Sequence, residues 1–389
     1  MKEDGVVVRR IRNTALALAS VLLAGAPLAA CGLIPHPATT PSATTASGSG
    51  PSSLAGAAAP ALPVPHGSGS GVPEDFNGDG HRDLVLNNLV KAPGSGHDDD
   101  AGLGIVYGTA KGAPDPAVRR LLTPRANGAK VKGVLPSAFD AVAACDLDKD
   151  GFSDLIVATD PPYNGVGRPP VPLQLLFGSP SGLGSAGGKA VVLRIPEQAR
   201  YGNEWPDHPV CGDFDGDGYD DLAVTASGGR VSFLHGPFTR TGAPRAAAKP
   251  IPGAGPVLAA PSPKADANGD GYDDLVHSTR SLALAGNAAE GKLLLGGEDG
   301  PRTPGGSYTF KAVRVPAAPA LPAGESSPTT DLLRYADFDG DTRPDVVTRT
   351  HRGESADVIA FYPASGDGSR PTATFSTAVF LQEPFRDTP

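Results

Sequence analysis

Five short stretches of the 389-residue chain carry carboxylates at one fixed spacing: DFNGDGHRD from Asp75, DLDKDGFSD from Asp146, DFDGDGYDD from Asp213, DANGDGYDD from Asp266 and DFDGDTRPD from Asp337. Anions packed this closely repel one another, so a neutralising cation is the chemistry the spacing suggests. Side-chain oxygens at positions one, three, five and nine, joined by the main-chain carbonyl at seven, can surround a single hard ion. Oxygen-only ligand sets of this kind are what Ca²⁺ takes. The candidate ligands in the first loop are Asp75, Asn77, Asp79, His81 and Asp83, and in the second Asp146, Asp148, Asp150, Phe152 and Asp154. The third offers Asp213, Asp215, Asp217, Tyr219 and Asp221; the fourth Asp266, Asn268, Asp270, Tyr272 and Asp274; the fifth Asp337, Asp339, Asp341, Arg343 and Asp345.

A single run of Asp, Asn and Gly is equally well a solvated turn. Five copies that all keep the ninth aspartate favour the ion, and five dications would carry about as much positive charge as the chain's net −9 calls for. The opening DxDxDG is shared with the EF-hand, but that loop needs a glutamate at position twelve between two helices. Here position twelve is Leu86, Val157, Val224, His277 or Thr348, within strand-like sequence. Glycine at position six turns the backbone through positive φ without steric cost. The fifth loop has Thr342 there and Pro344 at eight, so it is expected to be distorted and to bind worst.

The loops recur at intervals of 71, 67, 53 and 71 residues, which signals a modular architecture. Each is followed by an aliphatic run (DLVLNNL, DLIVATD, DLAVTAS, DLVHST, DVVTRT), and most are preceded by another, such as AFDAVAAC and HPVC. A third run ends in a turn (LGIVYGT, LQLLFGS, RVSFLHG, KLLLGG, DVIAFYP), and a fourth follows in several units (VRRLLTP, AVVLRIP, YTFKAVRVP, TATFSTAVFL). Long stripes of 3.6-residue period are missing, so the chain reads as all-β, and four antiparallel strands per unit describe a β-propeller blade. In these features residues 71–389 resemble FG-GAP/VCBS repeats, as in integrin α-subunit propellers and many bacterial surface proteins. The third unit, with Tyr201-Gly202 and Cys211-Gly212-Asp213, resembles them most. The resemblance implies a calcium-stabilised propeller and a structural role for Tyr201. Relatives usually close with six or seven units; the five found here predict five blades, with six or seven as the alternative.

Residues 1–30 read as an export signal, with Arg9, Arg10 and Arg12 ahead of the uncharged run TALALASVLLAGAPLAA. That run ends in Leu28-Ala29-Ala30-Cys31, which resembles the bacterial lipobox, where the cysteine becomes the lipidated first residue. The alternative is ordinary cleavage, with Cys31 incidental. Residues 31–70 then form a Pro/Ala/Ser/Gly-rich tether that holds the propeller (71–389) off a membrane. The expected location is the extracellular face of a bacterial membrane, reached through a lipid anchor. Cys145 and Cys211 lie one and two residues before an aspartate loop. They therefore point to opposite faces of their strands, and since neighbouring blades pack opposite faces together, the two can meet as a disulfide. The alternative is two buried thiols.

Motifs for catalysis are missing. No HExxH or GxSxG occurs, and Gly286–Lys292 fits a phosphate loop only without its Ser/Thr. Basic residues are dispersed in an acidic chain, which argues against nucleic acid. The stretch ARYGNEWPDHP holds the only tryptophan, Trp205, beside Asn203, Glu204 and Asp207, and the neighbouring unit offers Tyr163 and Asn164. Aromatics next to amides and carboxylates suit a glycan or protein ligand; the alternative for Trp205 is packing between blades. The expected function is a lipid-anchored extracellular binding or scaffold protein. An extracellular glycan hydrolase is the alternative, for which Glu204, Asp207 and His97-Asp98-Asp99-Asp100 are the acids available, and a calcium sensor is a third reading.

Overall fold

The computed structural model describes residues 60–90, 101–162, 164–185, 188–253, 255–278, 289–317, 328–352, 355–366 and 368–381. Cys31, Tyr163 and His97–Asp100 lie outside them. The aliphatic run after each aspartate loop is a strand, and each begins at or one residue after the ninth aspartate. The first sheet is β1 (Leu84–Leu86), β2 (Leu103–Val106) and β3 (Arg119–Leu122). The second comprises β4 (Ala138–Cys145), β5 (Asp154–Asp160), β6 (Leu173–Leu176) and β7 (Val191–Val192), and the third β8 (Val210–Gly212), β9 (Asp221–Ala226), β10 (Arg230–His235) and β11 (Ala246–Ala247). The fourth is β12 (Val257–Ala259), β13 (Leu275–Ser278), β14 (Glu290–Leu295) and β15 (Thr303–Thr309); the fifth is β16 (Thr329–Ala336), β17 (Asp345–Arg352), β18 (Ser355–Tyr362) and β19 (Ala373–Ser376). Strands pair in sequence order and antiparallel within each sheet. The result is a five-bladed β-propeller.

Alternation along the strands explains why they read as unbroken apolar runs. In β5, Leu155 and Val157 face the first blade while Ile156 faces the third. In β9, Leu222 and Val224 face the second blade and Ala223 the fourth. Both faces of a blade are buried, so no polar alternation survives. Phe338, Val347 and Ile359 of the last blade pack with Leu84, Leu86 and Val106 of the first, closing the ring. Arg82 adds a polar clasp, its Nε donating to the Asp337 carbonyl at 3.0 Å.

Two expectations change. Of the run YTFKAVRVP only Tyr308 and Thr309 belong to the fourth strand of the fourth blade, which is Thr303–Thr309 and pairs with β14 across a register shift at Leu293/Leu294. The apolar Phe310 then turns in to pack on Val276 and Leu293. At the other end, packed contacts begin at Leu62, ahead of the boundary at 71 drawn from composition. Leu62 donates to the Ala117 carbonyl, Gly67 to Asn77, Ser68 to Gly78 and Ser70 to Gly151, and Val64 enters the core between the first two blades. Glycine is required at 67, where a Cβ would meet the Gly78 carbonyl carbon at 2.0 Å.

Candidate metal centres

The five loops fold alike because their own carboxylates organise the turn. The first aspartate collects amides from across the loop. Asp75 accepts from Gly78 and Gly80, both at 2.7 Å, Asp266 from Gly269 and Gly271, and Asp337 from Gly340 and Thr342. The fifth-position carboxylate accepts the amide of residue seven in every loop, at 2.9–3.1 Å. Positions four and six are left-handed throughout. Position four is glycine except for Lys149 (φ 61°), and position six is glycine except for Thr342 (φ 67°). The distortion expected of the fifth loop is therefore absent: Thr342 takes the glycine conformation and its amide reaches Asp337 at 2.8 Å. What remains is strain, on the order of 1–2 kcal/mol for a β-carbon in that region.

The ninth aspartate does more than wait for an ion. Asp83, Asp154, Asp221, Asp274 and Asp345 are all almost fully buried. In four loops one oxygen accepts the amide of position two (Phe76, Leu147, Ala267, Phe338) and the other an amide just past the strand that pairs next in sequence (Gly108, Gly178, Gly296, Ala364). The residue thus braces the loop against its own blade. Residue seven links blades through its side chain: Phe152 covers Gly78 and Tyr272 covers Gly216 in the preceding loop, so a β-carbon at either glycine would clash.

Ligand atoms converge as well. Asp146, Asp148 and Asp154 each place an oxygen within 4.8 Å of the others, as do Asp213, Asp215 and Asp217, and Asp337, Asp339 and Asp345. These clusters can chelate a divalent ion. In the first and fourth loops an asparagine stands at position three, its Nδ2 donating to Asp79 or Asp270. Asn77 Oδ1, Asp148 Oδ1, Asp213 Oδ1 and Asp221 Oδ2 are buried without a hydrogen-bond partner. Buried acceptors are rarely left so, and cations bound in these three loops would supply the missing partners. The donor set, carboxylate and amide oxygens, fits Ca²⁺.

The electrostatics agree. Burial, and next Asp150, pushes the Asp148 carboxyl up to about 6. Burial lifts Asp220 to about 6 and Asp221 to about 7, with neighbouring aspartates adding to it. Asp83 and Asp154 are driven well above the usual carboxylate range, again first by burial. Protein cations relieve part of this charge: Arg240 pairs with Asp148 and Asp150, Arg245 with Asp217, and Arg343 with Asp341.

Some functional residues escape the repeat pattern. Asp220 and Asp273, at position eight, accept the first amide of the preceding loop, from Asp146 at 3.0 Å and Asp213 at 2.9 Å. Position eight also holds Arg82, Ser153 and Pro344, so no shared signal marks it. A disulfide joins Cys145 and Cys211 across the second and third blades, with Cα atoms 6.2 Å apart.

The Trp205 stretch is tied to its own blade. Asn203 Nδ2 donates to the Thr225 carbonyl, the Trp205 amide donates to Asn203 Oδ1, and Asp207 Oδ1 accepts from the Thr225 hydroxyl. The guanidinium of Arg168, from the 159–170 segment, lies 4.7 Å from the Trp205 ring centroid. Asn164 accepts the Val166 amide within its own turn, and Glu204 is exposed. Tyr201 is not a buried structural aromatic: it is 52 % exposed and lies beneath Arg230. The propeller thus presents an aromatic and guanidinium surface on which a ligand could rest.

Residues 210–248, the third blade with its loop, match the family described as FG-GAP repeat. No curated protein matches the chain.

Proposed function

We propose that this protein is an exported, lipid-anchored binding or scaffold protein whose propeller is stabilised by Ca²⁺. The observation that carries the reading is the pair of buried, partnerless oxygens in the first two loops, Asn77 Oδ1 and Asp148 Oδ1; burial and then Asp150 raise the Asp148 carboxyl to about 6, a cost of crowded charge that a counter-ion would relieve. Asp and Asn side chains at positions one, three and five, with the ninth aspartate, would hold the ion. Bound there, it neutralises the loop and joins each hairpin to its blade. The N-terminal sequence supports export and lipidation at Cys31, and the Trp205–Arg168 surface supports a glycan or protein ligand.

The test is a glycan array probed with the full chain in calcium and in chelator. Binding that calcium sustains and chelator abolishes is the expected result; the absence of any calcium-dependent signal counts against a glycan ligand. For the anchor, Cys31→Ser should move the chain from the detergent phase to the aqueous phase. A mutant that partitions as the parent does overturns lipidation at that residue.

A further inference from the structure

The third loop differs from its four counterparts in two independent ways. The residue just ahead of the amide that meets the ninth aspartate is Tyr107, Phe177, Leu295 or Pro363 in the other blades, but His235 in this one. His235 Nδ1 lies 2.8 Å from Asp215 Oδ2, and the ring is held edge-on by Phe233 with centroids 4.5 Å apart. Asp215, Asp221 and His235 each offer a ligand atom within 4.8 Å of the others. The second difference concerns Asp221. It is completely buried and accepts the Gly236 amide at 2.8 Å, yet its Oδ2 has no partner, whereas elsewhere that oxygen takes the amide of position two. Asp213 Oδ1, in the same loop, is also buried and partnerless. Asp217 meanwhile is engaged by Arg245, which withdraws one oxygen from the ligand set of a hard ion.

A nitrogen ligand changes which ion the loop prefers. Calcium selects oxygen and gains little from imidazole, while zinc and its first-row neighbours bind one imidazole with two carboxylates readily. We propose that the third loop is a transition-metal site, in which His235, Asp215 and Asp221 hold a zinc-class dication. The ion takes the Nδ1 lone pair, so the imidazole keeps its proton on Nε2. The proposal deepens the reading of the loops as cation sites but assigns this one a different ion.

The test uses the full chain, stripped by chelator and returned to excess calcium, with Co²⁺ as a coloured probe and Zn²⁺ as its competitor. One equivalent of Co²⁺ should bind despite the calcium, with a visible ligand-field band that Zn²⁺ abolishes. His235→Phe, which installs the residue of the second blade, should lose that band and weaken Zn²⁺ by at least about tenfold, since loss of even an outer-shell partner costs that much. Asp215→Asn should do the same, which covers the case of a phenylalanine variant that fails to fold. Asp339→Asn in the fifth loop should leave the cobalt equivalent intact. Displacement of the parent's cobalt by calcium, or an undiminished band in both His235→Phe and Asp215→Asn, overturns the proposal. Calcium stabilisation of His235→Phe is measured alongside: cobalt bound by the parent without any calcium response sinks the calcium reading and leaves this one standing.

Discussion

The seam between the second and third blades and the seam between the fourth and fifth are built on different terms. The first is filled by Leu147, Ile156, Leu173 and Leu175 against Leu222, Val224 and Leu234, and a disulfide crosses it. Further bonds lace it, from Phe238 to the Leu147 carbonyl at 2.6 Å and from Asp146 to Asp220 at 3.0 Å. Among the described residues no buried apolar cluster spans the second seam. Phe310, Val276 and Leu293 pack within the fourth blade alone, and a cavity of about 160 Å³ separates Pro263 and Phe310 from Leu332 and Tyr335. The weak seam is not where the ring closes on itself, since the join of the fifth blade to the first is well filled. Among the described residues, the least filled joint is thus internal and is not the closing one.

The disulfide gives the largest expected effect. Replacing both Cys145 and Cys211 by Ser releases a constraint between residues 66 apart. It should cost about 4 kcal/mol in urea unfolding of the full chain. An unchanged midpoint would remove the main reason for calling this seam the strong one. Cavity formation comes next. Leu234→Ala should cost about 3 kcal/mol, as fully buried leucines do, while the half-buried Leu332→Ala at the cavity should cost less than about 1 kcal/mol. Equal losses would erase the contrast.

Calcium and pH sharpen it further. At the strong seam Asp148 and Asp220 titrate near 6, and Asp221 in the third loop near 7, because burial penalises their charged forms. Their pKa values are raised on folding, so without metal the folded state keeps protons that the unfolded chain gives up near pH 4. That stability is complete below about pH 4 and is lost as pH rises through 6 to 7. A bound dication favours the ionised form and should remove the decline, adding about 2.7 kcal/mol per site at a hundredfold excess over its dissociation constant. Thermal unfolding from pH 5 to 7.5, in chelator and in calcium, measures both; a chelator curve that rises with pH contradicts the assignment. The one substitution expected to stabilise lies in the fifth loop. Thr342→Gly relieves a left-handed threonine and should raise stability by about 1 kcal/mol, and a lower melting temperature would show that the strain is not there.

The loops, the strands after them and the number of blades were legible because each rests on local chemistry repeated five times. Cys145 and Cys211 were placed opposite each other by strand alternation alone. The fourth strand of the fourth blade was not legible: its sequence TPGGSYT is poor in strand formers, and pairing with β14 overrides that preference, while the more apolar run after it serves the core. The brace made by the ninth aspartate was hidden for another reason. Its partner amides come from residues such as Gly108 and Gly178, some two dozen positions onward, and any residue but proline could supply them. His235 was visible as a residue but not as a ligand, since only the fold brings it to Asp215.

The chain at residues 62–70 also decides where mechanical load enters the ring. A pull from ahead of it meets the first blade through the bond from Leu62 to Ala117, and the bonds from Gly67, Ser68 and Ser70 follow in turn. The last of these holds Gly151 of the second loop, and the Ser70 hydroxyl holds Asp75 of the first at 2.6 Å. Traction is therefore shared between two adjacent blades, and it is borne first by the backbone hydrogen bonds of a glycine-rich clasp, which can break and re-form without any covalent change.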